Sequence, residues 1–232
     1  MEFSFVYWFL VYVSLSSALF PLFIPVLFYS RLNAVTIPFF WFFYFVVLNE
    51  SFSYTLILSG HQTQWWMNIY FLVEAMAFCS LLPLWLWGNK SFPWVMGLLL
   101  VFMMYWIYIT FLKSNILLLN APARAAECLV VLTLSGLMLI RLTRKSDISI
   151  FKNPKFWIAS GSMLYFSFDL LVFGILPVLV ANKYIVALFE PVWDVHSVIN
   201  IISNLLYSTA FLCPNRTFWF QNKTQYSFSA LS

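Results

Sequence analysis

Residues 92–112 read FPWVMGLLLVFMMYWIYITFL, a run without a single charge. About 20 such residues wound as a helix cross a bilayer core about 30 Å thick. Gly88-Asn89-Lys90-Ser91 just before the run, followed by Pro93, is turn chemistry that separates it from the apolar stretch upstream. Working outward with the same criterion gives seven spans: 3–29, 35–59, 65–87, 92–112, 122–142, 156–180 and 184–212. The expected fold is an all-α, seven-helix transmembrane bundle formed by residues 1–232 as one domain, with 213–232 as a tail. The alternating ten-residue pattern of an outer-membrane barrel is absent, and no stretch between the spans can bury a core of its own.

Composition points the same way. Apolar residues make up 63% of the chain and charged residues 9%, with a mean hydropathy of +0.88. Soluble domains run near 45–50% and about 25%. Disordered, nucleic-acid-binding, disulfide-scaffold and soluble-enzyme classes are excluded. The first span follows only Glu2, with no basic residue before it, and lacks a small-x-small cleavage site. It therefore reads as a helix retained in the protein, with its N-terminus outside.

The basic residues test that orientation. With the N-terminus outside, Arg31, Lys90, Arg141, Arg144, Lys145, Lys152, Lys155, Arg216 and Lys223 fall inside, while Lys113, Arg124 and Lys183 fall outside. Nine against three agrees with an inner C-terminal tail. The basic loop 143–155 reads as a topology determinant that attracts anionic lipid, with a docking surface for a cytoplasmic partner as the sharper alternative. Cys79, Cys128 and Cys213 are scattered, with neither disulfide nor metal spacing. The Asn-x-Ser/Thr triplets at Asn49, Asn89, Asn215 and Asn222 fall in a helix or on the inner side and are discounted as glycosylation sites.

The acids are placed differently from the bases. Glu2 and Asp147 lie outside the spans, but Glu50, Glu74, Glu127, Asp169, Glu190 and Asp194 lie within them. An acid at the centre of a membrane helix costs about 2.5–3.5 kcal/mol on insertion scales, so each of these must be protonated, paired, hydrated in a cavity or near an interface, and an intramembrane acid is a functional candidate by default. Most of these acids fall between the midplane and the outer surface. The seventh span carries Glu190, Asp194, Ser197, Asn204 and Ser208 on one stripe and His196, Asn200, Ser203 and Tyr207 on the next. Its polar half is expected to face the bundle or a wet cavity. Tyr165 and Asp169 share a face of the sixth span, and Tyr70 and Glu74 a face of the third. The first and fourth spans carry almost no polar groups and are expected to face lipid.

The candidate pocket residues are Glu74, Asp169, Asp194 and His196, oriented by Tyr165, Asn200 and Asn204. Glu74 and Asp169 are expected to meet in one polar cluster or to share His196. Asn200, Ser203 and Asn204 also read as interhelical hydrogen-bond glue. Arg124 and Glu127 read as a structural ion pair at the outer interface, and Ser160-Gly161-Ser162 as a close helix contact. No lysine lies inside a span, which removes a retinal Schiff base. No cofactor is expected; the same acids with His196 form a His-poor set for zinc, and a harder divalent cation suits them better. No Gly-x-Ser-x-Gly nucleophile motif is present.

Residues 70–75 (YFLVEA), 156–167 (FWIASGSMLYFS) and 193–204 (WDVHSVINIISN) resemble a group of uncharacterised seven-helix membrane proteins of the Bacteroidota, often encoded beside two-component sensor kinases. That resemblance implies a multi-pass protein of the bacterial inner membrane. It also implies a sensor kinase or another membrane signalling protein as partner, besides the membrane lipids themselves. The leading expectation is a sensor-like or accessory component of signalling with an outward-facing acidic pocket. An intramembrane lipid-modifying enzyme with a carboxylate/His cation site and a small proton-coupled permease are the alternatives.

Overall fold

The computed structural model describes residues 4–29, 32–33, 35–88, 92–113, 120–145, 150–181 and 185–213, with the side chains of 145 and 175–189 outside that description. The regular elements among these residues are all helical: α1 (Phe5–Ser17), α2 (Phe20–Leu27), α3 (Thr36–Leu58), α4 (Gln64–Trp87), α5 (Phe92–Ile107), α6 (Ala121–Lys145), α7 (Pro154–Ala181) and α8 (Ile185–Leu212). Seven stretches are long and apolar enough to cross a membrane, with α1 and α2 together forming the first. Of the tail 213–232 only Cys213 is described, and residues 146–149 of the basic loop lie outside the described residues.

The first span is not one unbroken helix. It breaks at Ala18-Leu19, just ahead of Pro21, and Pro25 follows inside α2. A proline has no N–H to give the preceding turn, and its ring clashes with the carbonyl four residues back. The fourth span ends in a π-helical turn, Tyr108–Lys113. The α3–α4 connection is short because Gly60, at φ +72°, reverses the chain, with His61 N–H bonding back to the Leu56 carbonyl at 2.9 Å.

Six spans close into a ring. α4 packs on α6, α6 on α7, α7 on α8, α8 on α1 and α2, α2 on α3, and α3 on α4. α5 lies outside the ring against α4, and its outer face, with Trp94, Leu100, Val101 and Met104, is left bare. The expectation of a lipid-facing fourth span fits that position. The matching expectation for the first span holds on one side only, where Phe5, Val6, Phe9 and Tyr12 are exposed. Its Ser14 and Ser17 hydroxyls accept hydrogen bonds from the Asn200 and Asn204 amides at 2.9 and 2.8 Å, so one face of α1 belongs to the ring's interior. Two small hydroxyls suffice to accept those amides, which a search for large polar groups passes over.

The two ends of the ring differ. Toward one end, which carries Ser4, Asn120 and Glu190, the interior is polar. Toward the other it is apolar: Phe39 meets Phe78 and Tyr207 edge-on at 5.8 and 5.4 Å, and Phe78 meets Phe166 at 5.0 Å. Edge-to-face contacts at these separations are a favoured geometry for aromatic pairs. Beyond this layer lie Leu82, Leu86, Ile158 and Phe211, all buried.

Gly161 is what brings α7 and α8 together here. A Cβ at that position would stand 2.8 Å from Tyr207 Cε1. The Tyr207 hydroxyl in turn donates to Ser162 Oγ at 3.3 Å. The close contact expected of Ser160-Gly161-Ser162 is thus the seat of one aromatic ring.

Candidate functional site

The site is organised by the start of α6. Asn120 caps the helix, its Oδ1 accepting from Ala123 N–H at 3.2 Å. Its own N–H donates to Asn68 Oδ1 of α4 at 2.9 Å, and its side-chain amide to Thr110 Oγ1 in the π turn at 2.7 Å. These three buried polar residues pin the first turn of α6 to α4 and α5. They thereby fix Arg124, one turn in, at the centre of the ring.

Arg124, expected in an ion pair near the outer end of its span, is fully buried between helices, at 0% exposure. Nε donates to Asp169 Oδ2 at 3.0 Å and one terminal nitrogen to the same oxygen at 2.5 Å. The other terminal nitrogen donates to Glu127 Oε2 at 2.9 Å and to Glu74 Oε2. The fifth N–H points to the Tyr165 hydroxyl at 3.4 Å. The planar fork thus finds an acceptor for each of its five donors. Phe71 and Phe166 lie 4.4 and 5.2 Å from the guanidinium carbon, adding cation–π attraction and excluding water. A cation near a helix N-terminus opposes the helix dipole; the carboxylates gathered around Arg124 offset that.

The predicted ion pair with Glu127 is therefore real in its partners but different in setting, because three spans converge on one cation. The same guanidinium brings Glu74 of α4 and Asp169 of α7 together. The Tyr70 hydroxyl donates to the remaining oxygen of Glu74 at 3.2 Å, as their spacing of one turn suggests. Asp169 gives its second oxygen to His196 of α8, whose Nε2 lies 3.0 Å away. An ionised carboxylate only accepts, so this contact takes the tautomer with the proton on Nε2. Trp193 stacks on the imidazole at 5.2 Å and 19°. A continuous polar chain therefore runs Tyr70–Glu74–Arg124–Asp169–His196 across four helices.

Beside this chain is a cavity of about 220 Å³. Of the expected pocket residues, Glu74, Asp169, His196, Tyr165, Asn200 and Asn204 line it, and Asp194 does not. Asp194 Oδ1 is buried without a hydrogen-bond partner among the described residues. Glu190 sits at the rim of the bundle, accepting the Ser4 N–H at 3.0 Å. α5 contributes nothing to the lining. Glu50 of α3 does, although sequence reasoning left it aside. Arg124 was also underrated. The signal for it was available: it lies inside the nominal fifth span, well away from that span's basic inner end, in a chain with six acids inside its spans.

Comparison with protein families, with curated proteins and with solved structures returns no match for this chain.

Proposed function

We propose that this chain is a multi-pass protein of the bacterial inner membrane, N-terminus outside and C-terminus inside, acting as a sensor-like or accessory component of signalling. Its cavity takes up a signal from the outer side. The single observation behind this reading is the one-sidedness of the interior. The polar chain lies toward one end of the ring beside the cavity, and the aromatic layer of Phe39, Phe78, Phe166 and Tyr207, of which Phe78 and Tyr207 reach the cavity wall, lies toward the other. A transporter needs polar access from both faces. A receptor needs it from one, together with helices that can carry a local change across the membrane. The Arg124 hub ties α4, α6 and α7 to one another, and His196 joins α8 to them. A change at any one carboxylate therefore bears on four helices. The basic residues at the apolar end, Arg141, Arg144, Lys152 and Lys155, support an inner location for that end.

The test is vectorial. In sealed vesicles loaded with a pH-sensitive dye, the protein should give no more proton flux than protein-free vesicles. Reporter fusions should place residue 148 in the cytoplasm and the N-terminus outside. Proton flux driven by a gradient would overturn the sensor reading in favour of a permease, and an externally accessible tag at residue 148 would invert the orientation.

A further inference from the structure

Resting on that reading of the cavity, we propose that its ligand is a small organic ammonium ion, held by the Glu50 carboxylate against an aromatic wall. An anion finds no free guanidinium donor, since all five Arg124 donors are already taken by Glu74, Glu127, Asp169 and Tyr165. Glu50 is the opposite case. It is half-buried and lines the cavity. It makes no hydrogen bond or ion pair to any described residue. Glu74 and His196 line the same cavity. Glu50, Glu74 and Asp169 line the cavity with Arg124, which also binds Glu127, so carboxylates outnumber the one guanidinium, and an entering cation brings the charge toward balance while an entering anion moves it away.

The rest of the wall selects the kind of cation. Phe42, Phe43, Phe173, Trp193 and Tyr207 line the cavity. Aromatic faces attract a cation through their quadrupole, most strongly when water is excluded, and quaternary ammonium groups are recognised in this way. The cavity has room for an organic group rather than a bare ion. Among the described residues no three His, Cys, Asp or Glu side chains are arranged to share a metal ion. The ammonium group is shared by free amines and by lipid headgroups, and the experiment separates those sources.

The purified full chain is placed in nanodiscs of phosphatidylglycerol alone. Its thermal unfolding and its binding isotherm are followed with choline, with the neutral isostere that has carbon in place of the quaternary nitrogen, and with a carboxylate of the same shape. Choline should raise Tm and bind saturably, while the two isosteres should do neither. If soluble choline has no effect but nanodiscs containing a choline-headgroup lipid stabilise the protein, the ammonium comes from lipid. Glu50→Gln should weaken binding at least tenfold, whereas Asp194→Asn, off the cavity, should leave it unchanged. Should Glu50→Gln fold poorly, Trp193→Leu reads the same wall and should also weaken choline.

Equal binding of the neutral isostere, or a Glu50→Gln variant that binds as tightly as the wild type, overturns the ammonium assignment and leaves a one-sided receptor cavity standing. Stabilisation by none of these probes overturns the assignment too. Proton flux in the vesicle assay overturns the receptor reading independently.

Discussion

Replacing Arg124 by Met keeps the bulk of the side chain and removes the charge and all five donors. Four of those donors end on carboxylate oxygens of Glu74, Glu127 and Asp169, and the fifth reaches Tyr165. Charge-assisted hydrogen bonds are worth about 1.5–3 kcal/mol each. They cannot be summed here, because three acceptors share one donor group. The stranded carboxylates can also take up protons, which costs an ordinary carboxylate about 4 kcal/mol at neutral pH. That cost limits the loss from either route. Breaking a buried pair by removing one partner typically costs about 3–5 kcal/mol, and we expect Arg124→Met to fall in that range. With the slope of about 2–4 °C per kcal/mol for chains of this size, Tm in detergent should drop by about 6–20 °C. Lys keeps the charge but has three donors on a single point and cannot span three carboxylates, so Arg124→Lys should fall between the two. The carboxylates should rank unequally. Asp169→Asn disturbs two Arg124 contacts and the His196 contact together. Glu127→Gln retains an oxygen for Arg124, removes one negative charge from a cluster with a surplus of them, and leaves an Oε1 position that already lacks a partner. Its Tm should stay level or rise. Differential scanning fluorimetry on the purified variants decides the matter: an Arg124→Met protein melting within about 2 °C of wild type, or Glu127→Gln proving more harmful than Asp169→Asn, would refute the hub.

Two further outcomes follow from packing alone. Gly161→Ala drives a methyl into the Tyr207 ring, which is itself held by Phe39, Phe43 and Ser162; overpacking of this kind costs about 1–3 kcal/mol, and a Tm equal to wild type would show that α7 and α8 are free to part. All three cysteines are buried, and burial also pushes the Cys213 thiol up from its ordinary value; a raised pKa means less thiolate at neutral pH, so maleimide should label none of the three in the folded protein and all three in denaturant, and rapid labelling of Cys213 in the folded state would contradict its packing against Phe151 and Thr209.

The spans were legible because the bilayer imposes a length and a hydropathy that one stretch of sequence satisfies or fails without reference to any other. The same holds for polar stripes on single helices. Tyr70 and Glu74 one turn apart, or Asn200 and Asn204 on one face of α8, are consequences of helical period, and both pairs sit where that period puts them. The Ala18-Leu19 break was also readable in principle from Pro21, but length masked it, since 3–29 is long enough to pass as one helix.

Relations between helices lay beyond that reach. Periodicity fixes which residues of a helix share a face, but not which other helix that face meets. Six acids within spans required counter-groups, and sequence alone could set the requirement without naming the partner. Arg124 looked like an end residue because its position in the span is near the end. Only the docking of α6 through Asn120, Asn68 and Thr110 carries it inside, where Glu74 and Asp169 arrive from helices fifty and forty-five residues away in sequence. Glu50 and Asp194 differ in the same way: both are acids in the same half of their spans, yet one faces the cavity and the other does not. The sequence determined seven spans and a surplus of carboxylate within them, because transfer into lipid is a property of each residue by itself. The tertiary structure alone decided which carboxylates share a cation and which one faces an open cavity, because pairing depends on the distance between side chains, and that is set by how helices pack.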